Sequence, residues 1–139
     1  MCGIVGYIGK NNIKEHLLYG LKELEYRGYD SAGFSIFQDD EIVSYKEIGK
    51  IKNLEQKAIN FQTTKYGIGI AHTRWATHGK PTQINAHPHF AQFSSVVHNG
   101  IIENYQAIKT KLENNGENFI SQTDTESIVK LFASVPLKL

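Results

Sequence analysis

The spacing of apolar and polar residues divides the chain into short strands alternating with helices. Glycine-bounded apolar runs predict buried strands at residues 3–9 and 67–73. Apolar residues at helical spacing predict a helix that is capped by Asn11 or Asn12 and ends at Gly28. The remaining predicted elements are a hairpin of residues 32–38 and 42–46 around a polar turn, a helix at 53–60, a strand at 94–97, a helix at 103–115 closed by Gly116, and a final helix opened by a capping box at 123–126.

This order of elements predicts a mixed fold, either α+β or layered α/β, in a single domain of 139 residues. One segment, residues 74–90, has no sustained period and contains two prolines and three of the six histidines. Long loops in compact domains usually carry function, so this loop is the first place to look for a site.

Composition excludes several classes of partner. Fifteen basic and 14 acidic residues give a net charge of +1, so we expect no nucleic-acid partner. No apolar run approaches the ~20 residues that cross a membrane, and the chain does not open on a secretory leader, so we expect a cytoplasmic protein without a membrane partner. A single cysteine cannot form an internal disulfide.

That cysteine, Cys2, occupies the position that becomes the first residue if Met1 is removed. Removal would place a thiol and a free α-amine on one residue, and an α-amine with a pKa of roughly 7.7–8.0 can take the proton of the thiol. Cys2 is therefore a candidate nucleophile that carries its own base. The alternative is a small buried hydrophobic residue, the commonest role of a lone cysteine.

Polar residues that follow predicted strands offer groups for an amide substrate. The Asn99 side chain and the Gly100 backbone N–H could stabilise an oxyanion, although Asn-Gly is also a strong hairpin-turn signal. Arg74 could grip an α-carboxylate through its planar fork, and Asp124 could bind an α-ammonium group. For Asp124 the alternative is a local role at the start of a helix.

The histidines raise the question of a metal. His87 and His89 lie two residues apart, and His72, His78 and His98 could approach them. No carboxylate or second cysteine stands at ligand spacing, so we expect neither a metal nor a cofactor.

Six blocks stand out along the chain, at residues 1–6, 24–33, 71–79, 85–89, 97–104 and 123–126. Together they resemble a known family, the class II glutamine amidotransferases, and within it the glutaminase domain of the glucosamine-6-phosphate synthases. A terminal Cys-Gly-Ile is common to the whole class, whereas the Tyr-Arg-Gly-Tyr-Asp block and the loop with Trp75 are specific to this group. The resemblance runs from Met1 to about Leu131.

The resemblance implies an N-terminal-nucleophile hydrolase fold, a four-layer αββα sandwich with two antiparallel sheets between helix layers. It implies glutamine as the substrate, with Cys2 as the nucleophile and its own amine as the base. The other implied roles are an oxyanion hole at Asn99 and Gly100, glutamine binding at Arg74 and Asp124, a closing loop with Thr77 and His78, an ammonia gate at Trp75, support of that loop by His87, and a place beside the nucleophile for Arg27 and Gly28.

In the family, a thioester at the nucleophile releases glutamate and ammonia, and the ammonia reaches a second, isomerase domain that converts fructose 6-phosphate to glucosamine 6-phosphate in a homodimeric enzyme. The family's glutaminase domain continues past position 139, so the resemblance makes residues 1–139 its N-terminal portion, incomplete at the C-terminus and without the isomerase domain. We therefore also expect limited stability. The alternatives are an inactive fragment that at most binds glutamine and a redox-sensing thiol protein.

Overall fold

The structure is a computed structural model that describes residues 1–77 and 79–136. Strands and helices alternate along the chain, and every predicted element is present within a few residues of its expected position. The strands are β1 (Gly3–Gly9), β2 (Ser31–Gln38), β3 (Glu41–Ile48), β4 (Gly67–Arg74), β5 (His89–Ala91) and β6 (Ser94–Val96). The helices are α1 (Ile13–Glu23), a 3₁₀ turn (Glu25–Arg27), α2 (Ile51–Lys57), α3 (Tyr105–Asn114) and α4 (Thr125–Ser134).

Four strands form an antiparallel sheet in the order β1-β4-β2-β3. In this register Gly3 lies opposite Thr73, and Ser31 lies opposite Arg74. The start of β1, the start of β2 and the end of β4 therefore meet at one end of the sheet. This register brings the Cys2 segment beside the loop that follows β4.

Helices α1 and α2 cover one face of this sheet and form the main core with it. Leu17 and Leu21 are fully buried, and burial of such a side chain contributes about 1.5–3 kcal/mol. Gly69 permits the close approach of α1, because a Cβ at this position would lie 2.6 Å from Leu17 Cδ1. The alternation of glycine with apolar residues in β4 thus reflects the close packing of α1 on this strand.

The β5–β6 hairpin lies on the opposite face of the four-stranded sheet. Ser95 Oγ donates a hydrogen bond to Ser35 Oγ across the gap (2.7 Å). Helix α4 packs on the hairpin, and α3 packs on α4. The layers are therefore helices, sheet, sheet and helices.

The hairpin leaves part of the inner sheet face open. Ile8 is 62% exposed, Ile68 48% and Phe37 44%, and these three residues lie side by side in the register. The described residues include no helix that is long and apolar enough to cross a membrane.

Two predicted helix caps are wrong. Asn12 has a left-handed backbone and its side chain does not cap α1; instead Lys14 N donates to Thr63 Oγ1 (3.1 Å). The capping box ahead of α4 is also absent, because Glu126 accepts hydrogen bonds from the N–H groups of Ile120 and Ser121. The start of α1 is thus stabilised by a distant residue, whereas Glu126 fixes the segment just before α4.

Candidate active site

A cavity of about 240 Å³ opens at the end of the sheet where β1 begins. It lies between the start of β1, the loop after β4, the segment after β6 and the start of α4. Of the residues predicted from the sequence, the cavity is lined by Cys2, Arg74, Trp75, Thr77, His87, Asn99, Gly100 and Asp124. His78 lies outside the described residues, and Arg27 and Gly28 lie nearby but do not line the cavity.

Cys2 is half-buried at the rim of the cavity, so the alternative of a buried core cysteine is wrong. Its Sγ accepts a hydrogen bond from Trp75 N (3.2 Å). Asn99 Nδ2 donates to the Cys2 carbonyl oxygen (3.4 Å). An N–H aimed at the sulfur stabilises a developing thiolate, and the amide of Asn99 lies within reach of the same residue.

Arg27 and Gly28 hold the start of the chain. The α-ammonium of Met1 donates to the carbonyl oxygens of Arg27 (3.2 Å) and Gly28 (3.3 Å), and the Arg27 guanidinium contacts Met1 Sδ. The Trp75 ring lies over Gly28, where a Cβ would be 3.4 Å from its Cζ3. Both residues therefore contact Met1, the residue that precedes Cys2.

Asn99 and Gly100 do not form the hairpin turn that their sequence permits. The segment leads from β6 into α3 rather than into a strand, and neither residue has a positive φ. Both are exposed to the cavity. The turn interpretation is wrong, and the two donors stand at the mouth of the pocket.

Arg74 ends β4 and is only 4% exposed. Its guanidinium donates to the carbonyl oxygens of Gly79 and Lys80, each at 3.3 Å. Burial lowers the pKa of Arg74, while the negative charges of Asp30, Cys2 and Asp124 favour its charged form. The cation therefore both shapes the loop after β4 and faces the cavity.

Asp124 occupies the N-cap position of α4, but its side chain makes no capping hydrogen bond to the helix. Its Oδ2 accepts a hydrogen bond from Ile102 N (2.7 Å), which fixes the segment that follows Asn99 and Gly100. Asp124 is 6% exposed and lines the cavity. The cavity wall therefore carries a negative charge at Asp124 and a positive charge at Arg74.

Sequence reasoning missed Asp30, which fixes both sides of Trp75. Asp30 Oδ2 accepts from Ala76 N (2.5 Å), and Asp30 N donates to the Arg74 carbonyl oxygen (2.8 Å). The residue therefore helps to hold Trp75 N–H at Cys2 Sγ. The sequence feature that could have indicated a role for Asp30 is its position in the Tyr-Arg-Gly-Tyr-Asp block.

Asn85 was also missed, although it lies in one of the quoted blocks. It is buried, and its side chain joins Lys80 O (2.9 Å) to Gln122 Oε1 (3.0 Å). Gln122 N donates back to Asn85 Oδ1 (2.8 Å). This amide pair ties the loop that Arg74 holds to the segment that precedes Asp124.

Three buried histidines form a layer beneath the cavity. The rings of His72 and His87 stack with centroids 4.3 Å apart, and His89 meets the edge of His87 at 4.8 Å. Burial lowers the pKa of His72 to about 4 and that of His89 to about 3, and it lowers the pKa of His87 further. All three imidazoles are neutral at pH 7. Among the described residues, no group of three His, Cys, Asp or Glu side chains is arranged to hold a metal.

The buried imidazoles make stability depend on pH. The unfolded chain protonates His89 near pH 6.5, whereas the folded chain protonates it near pH 3, so the free energy of unfolding falls as the pH drops between these values. We expect His89→Gln to reduce the slope of the free energy of unfolding against pH by about 1.4 kcal/mol per pH unit between about pH 6 and pH 4. Denaturant unfolding at several pH values measures the slope. The same replacement at exposed His16 controls for loss of an imidazole, and equal losses in both variants would contradict the prediction.

The family of the chain follows from comparison with known proteins. The family model described as "Glutamine amidotransferase domain" matches residues 55–138, more than half of the chain. The chain therefore belongs to the glutamine amidotransferase domain family.

Two curated relatives are similar to this chain over almost its whole length. The chain is 63% identical over 132 residues to the glutamine–fructose-6-phosphate aminotransferase [isomerizing] of Campylobacter jejuni, and 56% identical over 131 residues to that of Helicobacter pylori. These matches cover 95% and 94% of the chain but only 22% of each relative.

Solved structures confirm the predicted α+β fold of N-terminal-nucleophile amidotransferases. The glutamine phosphoribosylpyrophosphate amidotransferase of B. subtilis matches with a TM-score of 0.81 and 26% identity, and a structure described as the allosteric regulatory enzyme of purine biosynthesis matches with 0.82 and 26%. Each match covers 100% of this chain and 30% of the other.

Proposed function

We propose that this chain hydrolyses L-glutamine to glutamate and ammonia at Cys2. The observation that carries the proposal is the cavity itself, because it gathers a thiol, two amide donors and two opposite charges around one volume. These are the groups that attack on the side-chain amide of an α-amino acid requires. Membership of the glutamine amidotransferase domain family supports glutamine as that amino acid.

In the proposed reaction, removal of Met1 exposes the α-amine of Cys2, which takes the proton of the thiol. The sulfur attacks the amide carbon, and the carbonyl electron pair moves onto oxygen. Asn99 Nδ2–H and Gly100 N–H donate to that oxyanion, which is stabilised most where the donors are already in place. The α-ammonium group gives its proton to the amide nitrogen, the tetrahedral intermediate collapses with loss of ammonia, and water then cleaves the thioester to give glutamate and the free thiol.

Substrate binding is assigned to the two charged residues of the cavity wall. Arg74 binds the α-carboxylate, and Asp124 binds the α-ammonium group. Thr77 and His78 belong to the loop that closes over glutamine, and Trp75 controls the exit of ammonia. His87, together with Arg27 and Gly28, supports the loop and the nucleophile.

Asp124→Asn separates binding from chemistry. An asparagine oxygen can still accept from Ile102 N, so the loop is kept while the negative charge is lost. Because a charge-assisted hydrogen bond contributes about 1.5–3 kcal/mol, we expect KM for glutamine to rise about 10–100-fold with little change in kcat. Steady-state glutaminase assays measure both constants. Asp124→Ala is the control for the structural role: it leaves Ile102 N–H unpaired and should also lower the unfolding temperature.

For the whole protein we propose the reaction named for its relatives, in which ammonia from glutamine aminates fructose 6-phosphate and yields glucosamine 6-phosphate. Residues 1–139 are then the N-terminal portion of the glutaminase domain, and the sugar isomerase domain lies outside them. The chain spans about 22% of the length of those relatives. A homodimer and a cytoplasmic location belong to the same proposal.

Covalent labelling tests the glutaminase assignment against its alternatives. We expect a diazoketone analogue of glutamine to add once to Cys2, L-glutamine to protect against labelling, and Cys2→Ser to abolish it, as measured by intact mass. Hydrolysis is followed by glutamate release. Labelling without hydrolysis would point to an inactive glutamine-binding fragment. Peroxide oxidation of Cys2 that glutamine does not alter, without labelling, would point to a redox thiol.

A further inference from the structure

His98 is tied to the buried histidine layer but also faces the cavity. Its carbonyl oxygen accepts a hydrogen bond from His72 Nε2 (3.0 Å), and its Nδ1 lies 3.2 Å from Thr125 Oγ1. Among the described residues, the Nε2 atom of His98 has no hydrogen-bond partner. It is also not one of the fully buried atoms that lack a partner. A Cβ built on Gly100 would lie 2.9 Å from this nitrogen. The free end of the imidazole thus lies against the main chain of Gly100.

The proton on His87 can be placed from its surroundings. His87 is 5% exposed and neutral, so it carries one N–H. Its Nδ1 is buried and has no partner among the described residues, whereas its Nε2 lies 2.9 Å from Thr125 Oγ1. A buried N–H without an acceptor costs about 1–3 kcal/mol, so the proton resides on Nε2 and is donated to Thr125.

The Thr125 hydroxyl then has one proton to give. Two acceptors are near it: His98 Nδ1 at 3.2 Å and Asp124 Oδ1 at 3.5 Å. The second distance is at the limit for a hydroxyl hydrogen bond, so the proton goes to His98 Nδ1. A neutral imidazole with Nδ1 as the acceptor carries its hydrogen on Nε2. The chain of hydrogen bonds from His87 through Thr125 therefore leaves His98 with an N–H at its free end.

We propose that His98 Nε2–H is a third hydrogen-bond donor to the reacting amide group, beside Asn99 and Gly100, and that Thr125 is the positioning residue that sets this tautomer. This inference rests on the proposed glutamine hydrolysis. The proton stays on Nε2 throughout: it is donated to the oxyanion as charge develops and is not transferred. The neighbouring charges of Arg74 and Asp124 bind the ends of the substrate and leave this contact to the amide.

The tautomer is measured on the ¹⁵N-labelled full chain with Cys2 as its first residue. Long-range ¹H–¹⁵N spectra, assigned with His98→Gln, should show the neutral imidazole of His98 protonated at Nε2. Thr125→Val should give a mixture of tautomers, and Thr125→Ser should restore the single form. A His98 signal protonated at Nδ1 in the unaltered chain would overturn the inference.

Contact with the substrate is tested by titration with L-glutamate, whose γ-carboxylate takes the place of the reacting amide. We expect the Nε2 proton resonance of His98 to move downfield as glutamate saturates the site. No movement at saturation would overturn the inference. If the unaltered chain shows this shift but hydrolyses no glutamine, the proposed hydrolysis fails and the His98 contact stands.

Kinetics of two amide variants complete the test. His98→Gln can place an N–H near the Nε2 position, whereas His98→Asn reaches only the Nδ1 position. We expect His98→Asn to lower kcat about 100-fold, the loss typical of one oxyanion donor, with KM little changed. The loss of kcat in His98→Gln should be at least about tenfold smaller than the loss in His98→Asn. Equal losses in the two variants would mean that His98 acts through packing, and would overturn its role as a donor.

Discussion

An N-terminal extension ahead of Cys2 is expected to lower kcat for glutamine hydrolysis about 10²–10⁴-fold, the usual contribution of a positioned general base. The extension converts the α-amine into an amide that cannot accept a proton. Folding should be unaffected, because Met1 is 65% exposed and its α-ammonium group bonds to the main-chain oxygens of Arg27 and Gly28, to which an amide N–H can also donate. Glutamate release measures the effect, and circular dichroism checks the fold.

The matched control is the same extended chain after a site-specific protease has removed the extension and left Cys2 first. Activity should return with cleavage, in step with the mass of the processed chain. An extended chain that hydrolyses glutamine at the full rate would exclude the α-amine as the base and would direct attention to another proton acceptor near the thiol.

Asn99→Ala is expected to lower kcat about 10²–10³-fold with little change in KM, because an oxyanion donor acts mainly in the transition state. The side chain is exposed, and its hydrogen bond to the Cys2 carbonyl oxygen is long (3.4 Å), so the stability of the fold should change little. Steady-state kinetics and thermal unfolding measure the two effects.

Asn104→Ala provides the control for this variant. Asn104 is also exposed, lies five residues further on before α3, and makes no capping hydrogen bond through its side chain. It should retain normal kinetics. A change confined to KM in Asn99→Ala would mean that Asn99 binds glutamine without stabilising the oxyanion.

Local sequence was enough to predict most of the elements. The hairpin of β2 and β3 turns at Asp39 and Asp40, both with positive φ, and these are residue types that tolerate such a backbone. The glycines of β4 likewise marked a strand that packs closely against a helix. In each case the cause lies within the segment itself, in backbone freedom or in side-chain period.

The start of α1 was predicted poorly because the residue that stabilises it is distant in the sequence. Thr63 supplies the hydroxyl that satisfies the first turn of α1, and it lies 49 residues from Lys14. A threonine in a loop carries no local mark of that role. The sequence could indicate that α1 begins near Asn12, but not what stabilises its start.

By itself, the sequence determined the chemistry that the chain carries: one thiol at a position that can become the N-terminus, and two opposite charges, Arg74 at a predicted loop and Asp124 at a predicted helix start. It could not decide between a catalytic and a local role for Asn99, Gly100 or Asp124, because each is favoured by local geometry as well. Tertiary structure decided where they lie, since the register of β1 against β4 and the packing of α4 on the hairpin bring these residues to one cavity.

The buried hydrogen-bond chain from His87 through Thr125 to His98 is visible only in three dimensions. Its members are separated by up to 38 residues, and the position of each proton depends on which neighbours lack a partner. The sequence gives the type and position of each side chain. Tautomers and donor directions are instead set by burial, because a buried N–H without an acceptor costs free energy that exposed groups do not lose.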